Sequence, residues 1–172
     1  MELIDLMLKR RSTRKFNGEE ISKDDLDRIL QAALLAPTSR NRKPCSFMVV
    51  ERKETLNELS QSKDHGAELI KGADKAIVVI ADSMIADTWI EDSSIALTYM
   101  HLMAADLDIG SCWVQIHLRN KDGNDSERIV RDILKIDDNY RIVGILALGH
   151  SDNIPKAHTL DDIEKDKIHF LV

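Results

Sequence analysis

The sequence predicts an α/β or α+β domain, with a small sheet enclosed by helices. Helix-period and strand-like apolar runs alternate along the chain. One strand-like run, Ile77-Val78-Val79-Ile80, is apolar on both faces, as a strand covered from two sides must be. One long segment, Asp87–Asp108, carries apolar residues over more than one face, which places it centrally.

The elements follow in order. Residues 3–10 read as helical through Leu3, Ile4, Leu6, Met7 and Leu8. Asp24–Ala36 is an amphipathic helix (Leu26, Ile29, Leu30, Ala33, Leu34) with Ser22 as its cap, Asp25 three residues on, and a stop at Pro37. Ser46–Glu51 reads as a strand, 53–62 and 66–71 as short helices, and Ala76–Ala81 as the doubly buried strand. The long helix shows Trp89, Ile90, Ala96, Leu97, Met100, Met103, Ala104 and Leu107. After it come a strand at 112–116, a helix at 124–134 primed by Asn124, and a strand at 140–148. The segment from about 150 to 172 is polar, apart from a Leu160/Ile163 turn and the end Ile168, Phe170, Leu171, Val172. Spaced anchors without a core of their own describe an arm laid over something else.

Composition narrows the function classes. A chain of 172 residues fits one domain with a real core, and no repeat, linker or low-complexity tract divides it. The net charge of −6 argues against general nucleic-acid binding, since the basic clusters at 9–15 and 40–43 are local. No apolar run spans a bilayer, and Glu2 and Asp5 do not suit a signal peptide. Cys45 and Cys112 lack metal or redox spacing and fit a reducing, cytoplasmic setting as buried apolar residues.

Two runs carry chemistry. Arg10-Arg11-Ser12-Thr13-Arg14 packs three guanidiniums and a hydroxyl where the first helix gives out. Arginine suits bidentate contact with phosphate oxygens, although such a cluster can also merely complement a helix C-terminus. Gly110-Ser111-Cys112-Trp113 is a turn of small residues ending in a large aromatic. An anion clamp beside a flat-walled slot is what a phosphorylated planar cofactor needs. Between Pro37 and Pro44, Thr38-Ser39-Arg40-Asn41-Arg42-Lys43 is an unbroken polar run between helix and strand, well placed to supply ligand donors. Cys112 has no acid–base partner nearby in sequence and is read as buried rather than nucleophilic. The six histidines have no metal-ligand spacing, His101 reads as a core or interface residue, and Asp122, Asp125 and Glu127 lack the order of a calcium loop. No glycine-rich dinucleotide fingerprint is present.

Four pieces in sequence resemble the nitroreductase family of FMN-dependent oxidoreductases. Arg10-Arg11-Ser12-Thr13-Arg14-Lys15-Phe16 resembles its R-R-S-x-R-x-F opening. Ala36–Pro44 resembles its A-P-S-x-x-N-x-Q-P-W loop. Asp92–Trp113 resembles its central helix and G-x-C-W turn, and Leu148-Gly149-His150 its L-G-Y ending. The resemblance implies an α+β sandwich with a mostly antiparallel sheet, in an intertwined homodimer with FMN at the subunit interface. It places Arg10, with Lys156 and His158, at the phosphate and ribityl chain, and counts Arg11 among the cofactor-binding residues. Ser12 and Arg14 would lie along the ribityl and the N1/O2 edge, with Thr38, Ser39 and Asn41 reaching in from the other subunit and Pro37 and Lys43 of the same loop also expected to bind the cofactor. The backbone of Gln115, with Ile116 beside it, would approach flavin N5. No residue is expected to be catalytic in its own right and no metal is expected, because the cofactor carries the redox chemistry.

Departures from the family pattern bear on substrate rather than on FMN. Lys43 stands for the usual Gln, Cys45 for Trp and His158 for Arg. Gly66-Ala67 lacks the amide that often meets the flavin pyrimidine edge, and the chain lacks the helical insertion that covers the flavin in longer relatives. The function expected is reduction of a nitroaromatic, quinone or similar flat acceptor by NADH or NADPH in a ping-pong cycle. The alternative is an FMN-binding module for sensing, storage or partner binding with little turnover.

Overall fold

The computed structural model describes residues 2–171, so Val172, the last of the apolar anchors, lies outside the described residues. Helix α1 (Leu3–Lys9) is followed by α2 (Lys23–Leu35), strand β1 (Cys45–Val50), α3 (Lys53–Leu59) and β2 (Lys75–Asp82). Then come α4 (Trp89–Asp106), β3 (Gly110–Gln115), a two-residue hairpin of β4 (Asn120–Lys121) and β5 (Asn124–Asp125), α5 (Ser126–Leu134) and β6 (Tyr140–Gly149). The main sheet runs β1-β2-β6-β3, and every neighbouring pair in it is antiparallel.

Strand β2 shows why its sequence is apolar throughout. Ile77, Val79 and Ala81 face a core layer built with α2 and α4, whereas Ala76, Val78 and Ile80 face a second layer beneath α3 and α5. A doubly covered strand need not be parallel; here it is antiparallel with helices on both faces. The long helix α4 earns its apolar breadth in part from that core, through buried Trp89, Ala96, Leu97, Met100 and Ala104.

The ends of several elements differ from the sequence reading in physically simple ways. Ser22 caps α2 as expected, its hydroxyl accepting from the Asp25 N–H at 3.1 Å. At α5 the cap is Asp125, not Asn124; its carboxylate accepts from the Glu127 N–H at 3.1 Å, while Asn124 is spent in the β4–β5 hairpin. The short helix expected at 66–71 is a 3₁₀ turn, Glu68–Gly72, entered from Gly66 at a φ of 82° that favours glycine. Between Val78 and Ile80 of β2 the register against β6 slips: Val78 faces Ile145 but Ile80 faces Ile142. The extra residue lies in β6 around Val143-Gly144, and this bulge ends β3.

Candidate functional site

The Arg10–Arg14 run leaves α1 and crosses to the outer edge of β3. Ser12 forms a parallel bridge with Ser111, and the Thr13 N–H donates to the Ser111 carbonyl at 2.9 Å. The two runs singled out in the sequence thus meet through main chain. Gly110 is required there, since a Cβ on it would lie 2.8 Å from Thr13 Cγ2 and from the Gly149 carbonyl.

Behind this junction, Arg10 donates to His101 Nε2 at 3.2 Å. Arginine only donates, so the His101 proton sits on Nδ1 and faces the Ser111 hydroxyl, to which it is hydrogen-bonded. Burial, reinforced by the Arg10 charge, depresses His101 to about 4 and keeps it neutral near pH 7. Arg11 donates to the Lys156 carbonyl, and the His158 N–H donates to the Leu8 carbonyl at 2.9 Å. These bonds pin the polar arm beside α1, so Arg10, Arg11, Lys156 and His158 fall on one flank.

The other flank is an open groove of 460 Å³ lined by Arg14, Gly66, Glu68, Leu69, Cys112 and Trp113. Trp113 lies against Gly144, where a Cβ would sit 2.6 Å from the indole nitrogen, and that nitrogen donates to Gln115 Oε1 at 3.0 Å. Burial pushes the Cys112 thiol up, against the opposing charges of Arg14 and Lys63, so the cysteine is an inert wall. Strand alternation turns Trp113 and Gln115 toward the same edge as Ser111, offering main-chain donors to the groove. Ile116 is turned inward instead: its side chain is buried in the core and its N–H donates to the Val143 carbonyl at 2.9 Å. That bond sets Ile116 next to the Gln115 backbone at the bulge.

The loop 37–43 lies elsewhere. It leads into β1, at the edge of the sheet opposite β3, roughly 14 Å away at the usual strand spacing. Buried Asp92 of α4 fixes it by accepting from the Ser39 N–H at 2.9 Å, and the Lys43 N–H donates to the Thr38 hydroxyl at 3.0 Å. Arg40, Asn41 and Lys43 all hold left-handed backbone, at φ 52°, 55° and 51°. Such conformations cost non-glycine residues free energy and concentrate where a loop has a task. Pro37 is exposed ahead of it. The structure therefore gathers the arginines, Ser12, Gln115, Lys156 and His158 in one place, and Pro37, Thr38, Ser39, Asn41 and Lys43 in another.

The sequence reading passed over Lys63 and Asp92 and saw His101 only as a packing residue. Lys63 sits in Ser62-Lys63-Asp64-His65, which has no periodicity and no motif; its ammonium donates to the Gln115 carbonyl at 3.1 Å. Among the described residues no group of side chains could hold a metal ion, and no helix is long and apolar enough to cross a membrane.

The donors suit a phosphorylated flavin. Guanidiniums line one end, an aromatic-walled slot with strand-edge N–H groups the other, and Gly66 leaves the rim without a side chain. Comparison with known proteins gives the same direction. The family model described as Nitroreductase family matches residues 7–63 and 55–150. A curated relative from Archaeoglobus fulgidus, provisionally named an NADH dehydrogenase/NAD(P)H nitroreductase, is 32% identical over 98% of this chain and 97% of its own length. The solved structure of an FMN-dependent nitroreductase from Clostridium difficile R20291 superposes with a TM-score of 0.95 at 42% identity, covering 98% of both chains. A nitroreductase family protein from Clostridium difficile 630 follows at 30% identity and a TM-score of 0.78, covering 91% of this chain and 88% of that one. With its motifs joined by the fold and matched from end to end, the chain belongs to the nitroreductase family of oxidoreductases.

Proposed function

We propose that the protein is a homodimeric FMN-dependent reductase with two composite sites. The observation that carries the reading is the division of the site residues between opposite sheet edges, with cations and an aromatic slot at β3 and a strained donor loop at β1. A two-fold axis brings each edge to the complementary edge of its partner and completes both sites at once. Arg10, Arg11, Lys156 and His158 would hold the phosphate and ribityl chain, with His101 fixing the Arg10 guanidinium from behind. Ser12 and Arg14 would face the ribityl and the N1/O2 edge, and Gln115 would offer its N–H to the ring. Pro37, Thr38, Ser39, Asn41 and Lys43 would arrive from the other subunit. Bound FMN would accept a hydride from NADH or NADPH and pass electrons to a nitroaromatic, a quinone or a similar flat acceptor, in a ping-pong cycle. The chain itself orients the ring, balances its charge and leaves the groove open to both substrates in turn.

Reduction concentrates negative charge near N1/O2, and Arg14 there favours the reduced form. The single-domain reading with an arm from about residue 150 belongs to the same proposal. Residues 156–158 are tied to α1 of their own chain, while Leu160, Ile163, Ile168, Phe170 and Leu171 remain exposed and are proposed to anchor on the partner. The reading is of a cytoplasmic enzyme, in keeping with two unpaired cysteines.

The test is an anaerobic absorption titration of the FMN-loaded protein with NADH and then NADPH. Stoichiometric bleaching by either nucleotide is the expected result and identifies the donor. A flavin spectrum that neither nucleotide bleaches would overturn the enzyme reading in favour of a binding module.

A further inference from the structure

The outer edge of β3 poses an electrostatic problem that Lys63 answers. Alternation directs the Gln115 carbonyl as well as its N–H toward that edge. An uncovered carbonyl oxygen there would present its negative end to any electron-rich group held against Gln115. The Lys63 ammonium sits on that oxygen at 3.1 Å, and its Nζ and Cε lie 3.6 and 3.7 Å from where a Gly66 side chain would start. Lys63 is half-buried, and its charge reaches Cys112 together with that of Arg14. Two cations therefore flank the groove wall, Arg14 toward Ser12 and Lys63 toward Gln115.

We propose that Lys63 sets the reduction potential of the bound flavin, by covering the Gln115 carbonyl and presenting positive charge at the ring's N5 side. The inference rests on the FMN reading above and deepens it. Lys63 is a positioning and charge-balancing residue, not a catalytic one. Oxidised flavin is neutral at the ring, so the ammonium matters little to its binding. Reduced flavin carries added negative charge and is held more tightly by a cation in a partly dehydrated setting than by a hydrated one. Burial, with the Arg119 charge next, lowers the Lys63 pKa, so this cation has most to gain from a nearby anion.

The experiment compares wild type with Lys63→Met, Lys63→Gln and Lys63→Arg. Each is measured for the affinity of oxidised FMN, the potential of the bound couple and the thermal midpoint. Lys63→Met is expected to leave oxidised FMN affinity within about threefold, yet weaken the preference for reduced FMN about tenfold, a drop of about 30 mV for a two-electron couple. Lys63→Gln, which can still donate to the Gln115 carbonyl, is expected to restore the thermal midpoint but not the potential. Lys63→Arg is expected to keep both. Unchanged potentials in Lys63→Met and Lys63→Gln, with FMN bound, would overturn the proposal and leave the FMN reading standing. A wild-type protein that takes up no FMN would overturn both together.

Discussion

Arg10 and His101 show how one residue's protonation state supports another's task. The neutral imidazole accepts from Arg10 and donates to Ser111, linking α4 to both sequence runs. Its folded pKa, about 4, lies below the 6.5 of a free histidine, so the unfolded chain binds the extra proton between those values. Stability from this residue is therefore complete above about pH 6.5 and falls as the solution is acidified toward pH 4, by roughly 3 kcal/mol in all. Urea unfolding at pH 7 and pH 5 should show the loss in wild type and a flatter response in His101→Asn. In the FMN reading the same variant should also loosen phosphate binding, seen as weaker FMN uptake at pH 7. Equal pH slopes in the two proteins would exclude this role for His101.

At the scale of elements, Glu127 is the knot that ties α5 to the sheet. Its carboxylate, 3% exposed, accepts from Arg141 at 2.9 and 3.0 Å and from the Ile142 N–H at 3.2 Å, and it is paired with His117. Arg141 lies 4.5 Å from the Trp89 ring centroid, and Trp89 meets His117 edge-on, so α4, α5, β6 and the end of β3 share one cluster. Burial opposes ionisation of Glu127, but the bonds from Arg141, His117 and Ile142 outweigh it and hold the carboxyl below its ordinary value. Stability from Glu127 is then present above about pH 4.5 and lost as pH falls through the lower folded value, a more acidic window than that of His101. Glu127→Gln removes the buried negative charge that faces Arg141 and Arg131 and should cost about 3 kcal/mol in urea unfolding at pH 7. Asp125→Ala, which removes only the α5 cap, should cost about 1 kcal/mol in the same assay. Comparable losses in the two variants would mean that Glu127 is not the tie described.

The whole molecule leaves apolar surface that a lone chain has no reason to keep. A groove of 540 Å³ between α1, α2 and α4 is lined by Leu3, Leu6, Met7, Tyr99, Leu102 and Met103, and Leu34 and Leu35 at the end of α2 are also exposed. Together with the bare anchors of the arm, this area fits the proposed homodimer. Met7→Glu places a charge in the groove and should shift the protein toward monomers in sedimentation velocity. If each proposed site draws on both subunits, FMN is expected to be lost along with the partner. Monomers that retain FMN stoichiometrically would refute the composite site.

Much of this molecule is written locally. The helix of α2 follows from its apolar spacing, its Ser22 cap and Pro37 beyond its end, and β2 from a run of branched residues apolar on both faces. These signals depend on neighbours a few residues away, so they survive in sequence. So does the arginine run, since its residue types carry their chemistry with them, whereas Gly110–Trp113, which reads as a turn in sequence, is the first part of strand β3, paired with β6. The tertiary structure alone decided what crosses large sequence separations. It pairs Ser12 with Ser111, seats Lys63 on Gln115 and His101 behind Arg10, and shifts β6 by one residue so that β3 stops at Gln115. It also sends the 37–43 loop to the far edge of the sheet. Such contacts arise only when the packing of two core layers fixes strand order and register, and no local pattern of residues encodes that order.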